Sequence, residues 1–384
     1  DKVFVTLADG TTNTISVSSD SESDGDTNID GAIYSKDDVT INGNGTLNVT
    51  SAKTSAIVCN DDLKLVSGNI NVTGAKHALK GNDTISVKDA IITASAEKDG
   101  LHSDGNINIV GGKVDVTKSN EGIEAQIINI AGGETNIVAS DDGVNAASAD
   151  SNTSDDPMAV DNGASLNISG GKLTIDANGD GLDSNGGIYI SGGETYVSGP
   201  TNDGNTAIDF GSEAVITGGT LVAAGSSGMV EAMSDKSTQG VMTVNASSNS
   251  GTVMVTNSSG EVIAQYTPTK TYACVTISSP NMKVGETYTV SCGSTSEDIT
   301  LSSTVTSNVT ATMGGGGMRG GQMGDMPGGQ GKMGEMKDEQ RQVQTPSGEN
   351  EKMQAPPDEN GQMDKNQMNQ NQMKQGTTDK AKTH

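Results

Sequence analysis

A short segment recurs eight times between residues 32 and 210, and this repeat limits the folds open to the chain. Each copy begins with Ala or Gly, continues with Ile, Leu or Val, and then has a variable residue. The copies begin at Ala32, Ala56, Ala78, Gly100, Gly122, Gly143, Gly181 and Ala207, at intervals of 24, 22, 22, 22, 21, 38 and 26 residues. A unit of about 22 residues is typical of a solenoid, in which each unit packs only against its neighbours.

Two further strand patterns follow each copy. In the first repeat these are the pairs Val39/Ile41 and Leu47/Val49, which alternate with polar residues as strands with one buried face do. Gly-Gly and Gly-Asn pairs mark the corners. Leucine-rich repeats have a similar period, but they need a denser Leu pattern and usually a helix in each repeat. Three short strands per unit therefore predict an all-β fold, a right-handed parallel β-helix, because parallel crossovers are right-handed.

The pattern changes twice towards the C-terminus. Residues 1–240 carry the predicted β-helix, and residues 241–312 carry four strand patterns that predict a C-terminal antiparallel β cap over the last coil. Residues 313–384 contain ten Met and no Ile, Leu or aromatic residue. Such a segment has too little apolar surface to form a core, so we predict a disordered Met/Gly/Gln-rich tail.

The charge of the chain excludes several kinds of partner. The formal net charge is −26, and 39 of the 49 acidic residues lie in residues 1–312 with only 14 Lys. Nucleic acid is excluded as a partner of the folded part, because phosphate binding needs a basic surface. Anionic membrane surfaces are disfavoured for the same reason, and no apolar run is long enough to span a bilayer. The chain begins at Asp1, so we expect a signal segment to be absent from it.

Acidic residues form two outward columns along the predicted solenoid. The central column holds the third residue of each repeat, and the leading column holds the residue before each repeat. Successive coils bring such carboxylates about 5 Å apart, and a divalent cation between coils would relieve their repulsion. Oxygen ligands suit Ca²⁺, whereas the chain has too little His and Cys for a transition-metal site. The predicted Ca²⁺ ligands are Asp99, Glu121, Glu124, Asp141, Asp142, Asn145, Asp180, Asp183 and Asp209.

Alternatives to metal binding remain open at these positions. Asp-Gly pairs also form ordinary turns whose carboxylates face water. Residues 147–161 interrupt the repeat just after Asn145, and this insertion is either a passive surface loop or part of the acidic site. It contributes Asp150, Asp155, Asp156 and Asp161.

Several segments resemble those of the clostridial extracellular carbohydrate-binding β-helix family. They include AIYSKDD at 32–38, SDDGVNA at 140–146, GDGLDSNG at 179–186 and GETYTV at 285–290. The resemblance covers most of residues 1–312. It implies a fold similar to that of family 9 polysaccharide lyases, bound calcium, an extracellular or cell-surface location, and affinity for plant cell-wall polysaccharides, acidic or cellulosic.

We therefore predict a calcium-dependent polysaccharide-binding protein, with pectin-like glycans as the expected ligands. One alternative is a pectate-type lyase, whose base would be Lys80, Lys98 or His102, although a solvated side chain is the favoured interpretation of each. The other alternative is a structural adhesion protein without glycan specificity. Tyr34, Tyr189 and Tyr196 are weaker candidates for stacking on sugar rings.

The three cysteines are given structural interpretations. Cys59 is the fourth residue of its repeat, two residues after the inward Ile57, and is predicted to be an inward, buried thiol. Cys274 and Cys292 flank a turn, and whether they form a disulfide is left open.

Overall fold

A parallel β-solenoid of about eight turns forms most of the computed structural model, which describes residues 1–24, 27–148 and 160–309. These residues contain strands and no helix, so none of them forms a helix able to cross a membrane. The predicted all-β parallel solenoid with a C-terminal antiparallel cap is confirmed. The predicted tail at 313–384 and Asp150, Asp155 and Asp156 of the insertion lie outside the described residues.

The first strand of each coil coincides with the recurring segment. It is short, because a corner follows after three to five residues. These strands are β5 (Gly31–Ser35), β8 (Ser55–Cys59), β11 (Leu79–Gly81), the first part of β14 (Leu101–Ile109), the first part of β16 (Ile123–Ala139), β17 (Val144–Ala146), β19 (Leu182–Ser184) and β21 (Ile208–Phe210).

The second and third strands complete each coil, and they merge into one long strand wherever the corner between them keeps its pairing. They are β6 (Asp38–Gly43), β7 (Thr46–Ser51), β9 (Asp62–Leu65), β10 (Asn69–Gly74), β12 (Thr84–Val87), β13 (Ile91–Ala96), β15 (Lys113–Lys118), β18 (Ser165–Ala177), β20 (Gly187–Ser198) and β22 (Glu213–Gly225), with the remainders of β14 and β16.

Aliphatic side chains stack inside the coils in register. Ile57 pairs with Leu79 and Leu79 with Leu101, and all three are fully buried. Cys59, two residues beyond Ile57, is also fully buried, as predicted. Burial of apolar surface at each rung contributes about 25 cal/mol per Å² to folding. Because every rung repeats this contact, a thin core without Trp suffices.

Glycine pairs at one corner allow neighbouring coils to approach closely. A Cβ atom on Gly132 would lie 2.4 Å from the carbonyl oxygen of Val110 in the preceding coil. Gly133 has a φ of +76°, which is favourable only for glycine. The Gly-Gly signal in the sequence thus marks a corner that no larger residue fits.

Two strands at the N-terminus extend the solenoid below the first predicted repeat. They are β1 (Lys2–Leu7), which pairs in parallel with β6, and β2 (Thr12–Val17), which pairs in parallel with β7. A small hairpin of β3 (Glu22–Asp24) and β4 (Thr27–Ile29) follows them.

The C-terminal cap is antiparallel, as predicted, apart from one parallel pairing of its last strand, and it is divided between two sheets. Its strands are β23 (Val241–Asn249), β24 (Val253–Thr256), β25 (Val262–Tyr266), β26 (Tyr272–Ser278), β27 (Thr287–Cys292), β28 (Thr295–Thr300) and β29 (Val305–Ser307). Strand β26 runs antiparallel to β22 and so covers the last coil, whereas β24, β25, β27 and β28 form a separate sheet. Cys274 and Cys292 lie on different sheets, and both are buried free thiols.

Candidate functional site

The central column is built as the spacing predicted. His102 pairs in register with Glu124, and Glu124 with Asn145. The column continues through Asp183 to Asp209. At the lower end of the same column Val58 is buried, so the polar part of this face begins above it. Polar side chains one coil apart therefore stack along the first strands of the upper coils.

The leading column lies beside the central one and is fixed by backbone hydrogen bonds. The Gly100 N–H donates to the Glu121 carbonyl at 3.0 Å, and the Gly122 N–H donates to the Asp142 carbonyl at 2.9 Å. Glycine is needed there, because a Cβ atom on Gly122 would lie 2.3 Å from the carbonyl oxygen of Gly143. We name the two columns from Asp99 to Asp209 the acidic face.

Two histidines and one carboxylate meet at the lower end of the acidic face. Asp99 Oδ2 lies 2.8 Å from His77 Nδ1 and 3.0 Å from His102 Nδ1. His102 Nδ1 also lies 2.7 Å from Glu124 Oε2, and its Nε2 lies 3.2 Å from Asp104 Oδ1. Asp99 and His77 are only 4% and 8% exposed. This group therefore holds three coils together through buried polar contacts.

Burial and charge act in opposite directions on these groups. Burial opposes the charge on His102, but its contacts with Asp99 and Glu124 prevail and raise its pKa to about 9. The pKa of His77 is lowered, chiefly by burial. Burial would raise the pKa of Asp99, yet His102 and His77 bring it well below its ordinary value. Asp99 and His102 consequently form an ion pair at neutral pH.

Backbone amides orient the upper carboxylates. Asp142 Oδ1 accepts a hydrogen bond from the Asp180 N–H at 2.6 Å, and Asp180 Oδ1 accepts one from the Thr206 N–H at 2.5 Å. The Asp141 and Asp142 carboxylates both approach Gly179 closely, which is possible because glycine has no side chain. A Cβ atom there would lie 2.5 Å from Asp141 Oδ1 and 2.3 Å from Asp142 Oδ1. The two carboxylate oxygens thus face the same small gap.

The upper carboxylates are costly to ionise. Burial raises the pKa of Glu121 to about 8, with a further contribution from the charge of Glu124. Burial likewise raises the pKa of Asp142 to about 6 and that of Asp180 to about 7. Burial and the neighbouring carboxylates raise the pKa of Asp183 well above its ordinary value, and burial raises that of Asp209. Without a cation, this face is unfavourable at neutral pH.

The predicted ligands differ in how closely their oxygens converge. Ligand atoms of Asp99, Glu121 and Glu124 all lie within 4.8 Å of one another. Among the described residues, Asp142, Asp180, Asp183 and Asp209 do not form such a group of three. Asn145 donates to Glu121 Oε2 at 3.1 Å, while its buried Oδ1 has no hydrogen-bond partner in the described ranges. This orphaned oxygen and the half-buried carboxylates fit a hard cation such as Ca²⁺.

The insertion ends in a structural turn. Asp161 accepts hydrogen bonds from the N–H groups of Ser148 and Gly163 at 3.0 and 2.9 Å. These two bonds give Asp161 a local role in closing the loop, and its predicted part in the acidic site stays a prediction.

The weaker candidates lie in different surroundings. Lys80 pairs in register with His102 and is half-buried, whereas Lys98 is exposed. Tyr196 stacks on Tyr266 with ring centroids 5.2 Å apart, so its ring is already in contact with another ring of the protein. Tyr189 is 39% exposed and is the more accessible of these two.

The fold and this face define a class of protein, a parallel β-solenoid with stacked acidic side chains on one side. A model of the family "Carbohydrate-binding domain-containing protein" matches residues 1–204. The chain belongs to that family, and this membership supports glycan binding in general.

A relative with the same description occurs in Acetivibrio thermocellus. It is 39% identical over 74 residues, which are 19% of this chain and 26% of the relative. The chain therefore spans about a quarter of that relative's length. No solved structure matches the chain. The carbohydrate-binding part of the predicted resemblance is confirmed, and the likeness to family 9 polysaccharide lyases stays a prediction.

Proposed function

We propose that the protein is an extracellular or cell-surface protein that binds acidic, pectin-like polysaccharide in a calcium-dependent manner. The observation that carries the proposal is the acidic face, where burial raises the pKa values of Glu121, Asp142, Asp180, Asp183 and Asp209. Keeping so many of these groups in one place has a cost in stability. A bound cation would offset that cost. Membership of a carbohydrate-binding family supports a role for this face in glycan binding.

The charge of the chain supports a cation as part of the binding surface. Residues 1–312 carry a net charge of −25, so a polyuronate would be repelled by the bare protein. Bound Ca²⁺ would supply positive charge to which a sugar carboxylate can bind. A neutral glycan would not need this charge, so calcium dependence and preference for acidic sugars are expected together.

The side chains that would hold the cations are those of the upper coils. Asp142 and Asp180 are already oriented by backbone amides, and Asp141 faces the same gap as Asp142. Asp183 and Asp209 continue the central column above them. Lower on the face, Asn145 Oδ1 and the carboxylates of Glu121 and Glu124 offer further oxygen ligands. All are hard oxygen donors, which favour Ca²⁺ over transition metals.

Binding is tested with immobilised polygalacturonate and with neutral cellulose, in Ca²⁺, Mg²⁺ or EDTA. We expect retention on polygalacturonate in Ca²⁺ only, because Mg²⁺ demands a stricter octahedral geometry. Asp183→Asn removes a charge from the centre of the acidic face and should weaken retention at least tenfold. Asp89→Asn is the matched control, because Asp89 is exposed and lies outside the face. Retention that is equal in EDTA and in Ca²⁺ would refute the proposal.

A lyase remains the second candidate, because Lys80 and His102 are neighbours in the column that carries the acidic residues. The contacts of His102 argue against it as a base, since both ring nitrogens face carboxylates and its pKa is raised to about 9. Absorbance from unsaturated products in the near ultraviolet, released from polygalacturonate and lost in Lys80→Ala, would establish the lyase. A structural spacer would instead bind no glycan on an array with Ca²⁺ present.

A further inference from the structure

Two of the three histidines lie next to each other, although 24 residues separate them in the chain. His77 precedes β11 in the leading column, and His102 lies on β14 in the central column of the next coil. Their ring centroids are 4.5 Å apart, and Asp99 lies against both rings. The solenoid thus assembles a cluster that the scarcity of histidine in the sequence argued against.

Three possible metal ligands converge in this cluster. His77 Nδ1 and His102 Nδ1 lie 2.8 and 3.0 Å from Asp99 Oδ2. All three atoms lie within 4.8 Å of one another. Around a tetrahedral ion with bonds of 2.0–2.2 Å, ligand atoms are about 3.3–3.6 Å apart. Small side-chain rotations would therefore accommodate an ion.

Two of these atoms have no hydrogen-bond partner. His77 Nδ1 and Asp99 Oδ2 are buried, and despite their 2.8 Å separation their geometry is not that of a hydrogen bond; within the described ranges neither has another partner. The His77 and Asp99 side chains are only 10% and 5% exposed, so solvent water has little access to these two atoms. An ion between these two atoms would supply the partner that each of them lacks.

We propose that His77, Asp99 and His102 form a site for a divalent transition-metal ion of the Zn²⁺ type. Two imidazole nitrogens and one carboxylate oxygen are a common ligand set for Zn²⁺. Nitrogen ligands distinguish this site from the all-oxygen upper part of the acidic face, so the site does not depend on the proposed calcium function.

Neighbouring carboxylates contact His102 on both ring nitrogens. Glu124 Oε2 lies 2.7 Å from His102 Nδ1, but among the described residues it does not join the converging group of His77, Asp99 and His102. Asp104 Oδ1 lies 3.2 Å from His102 Nε2, on the side of the ring away from Asp99. A carboxylate on the outer nitrogen of a ligating histidine orients the ring and strengthens it as a ligand. His102 and Glu124 are partly exposed, with side-chain exposures of 15% and 22%, which leaves a path for the ion.

The test uses the full chain after its metals have been removed with EDTA and dialysis. Co²⁺ is titrated in excess Ca²⁺, and its visible d–d absorption reports a nitrogen-containing, four- or five-coordinate site. We expect one equivalent of Co²⁺ to bind and Zn²⁺ to displace it, while further Ca²⁺ leaves the spectrum unchanged. His77→Gln and His102→Gln should each weaken Zn²⁺ binding at least a hundredfold.

Two further variants separate the site from its surroundings. Asp104→Asn acts through His102 and should weaken Zn²⁺ binding about 10–100-fold; its side chain is 44% exposed, so this variant is expected to fold. His384→Gln changes the third histidine of the chain and should have no effect. A wild-type chain without a one-equivalent Co²⁺ spectrum, or displacement of Co²⁺ by Ca²⁺, would overturn the proposal. Unchanged binding in both folded histidine variants would overturn it as well.

Discussion

Replacement of Asp180 by Asn should stabilise the metal-free protein and destabilise the calcium-bound one. The carboxylate is half-buried, and burial together with the charges of Asp142 and Asp209 raises its pKa to about 7. Its Oδ1 accepts the Thr206 N–H, and an Asn side chain keeps that acceptor while it removes the charge. The substitution therefore isolates the cost of ionisation from the hydrogen bond.

The magnitude follows from the pKa shift. A raised carboxylate pKa means that the folded state binds the proton more tightly than the unfolded chain, so stability falls as the pH rises from about 4 to about 7. Three pKa units at about 1.4 kcal/mol each give about 4 kcal/mol of lost stability above pH 7 and about 1.5 kcal/mol at pH 5. Asp180→Asn should recover this amount in EDTA. For a folded region of roughly 300 residues, 4 kcal/mol corresponds to about 6 °C in Tm.

Thermal unfolding followed by circular dichroism at pH 5 and pH 8, in EDTA and in Ca²⁺, measures the effect. In EDTA the variant should melt above the wild type, with the larger difference at pH 8. In Ca²⁺ the order should reverse, because the variant has lost a charged ligand. Asp89→Asn serves as the exposed control and should change neither difference. A variant that is destabilised equally in both media, independent of pH, would show that Asp180 is an ordinary turn residue.

Three other results are expected. Chelation should lower the Tm of the wild type, and Ca²⁺ should restore the Tm more fully than Mg²⁺. At a hundredfold excess over Kd, one bound Ca²⁺ should raise the free energy of unfolding by roughly 2.7 kcal/mol. A Tm insensitive to EDTA would contradict the cation sites. Cys59→Ala should preserve glycan binding, whereas Cys59→Phe should cost about 1–3 kcal/mol in chemical denaturation because it overpacks the coil, and rapid labelling of native Cys59 by a thiol reagent would contradict its burial. A variant that ends at residue 312 should melt like the full chain in calorimetry, and loss of its cooperative transition would show that the tail is structural.

The solenoid was predictable because its rungs repeat a local pattern. Val39 and Ile41 pair with Leu63 and Leu65 as the spacing required, and the central column has the predicted register. The third strand is less clearly marked in two coils, because Thr135 and Thr195 occupy buried positions where the pattern expects an aliphatic residue. Both hydroxyls are buried without a hydrogen-bond partner in the described ranges. A polar residue does not itself predict an inward position, so pairing with the neighbouring coils is what places these two residues inside.

Other features depend on contacts that the pattern does not contain. Strand β1 lacks the recurring segment, and it joins the solenoid by pairing with β6 and by burying Leu7 in the core. The cluster of His77, Asp99 and His102 joins the leading column of two coils to the central column of one. A comparison of the leading column of one coil with the central column of the next would have found this cluster. The small number of histidines in the sequence argued against it. The pKa shifts of the acidic face also required the structure, because burial is their largest cause.

The unequal ends of the solenoid imply a gradient of local stability. In the described part of the chain, β1 and β2 each hydrogen-bond to a single strand, while β26 closes the opposite end. Coils that contact only their neighbours open from a free end inwards. Amide hydrogen exchange should therefore be fastest in Lys2–Val17 and slow progressively along the coils, and cations bound across several coils would act as clamps that stop this fraying before it reaches the acidic face.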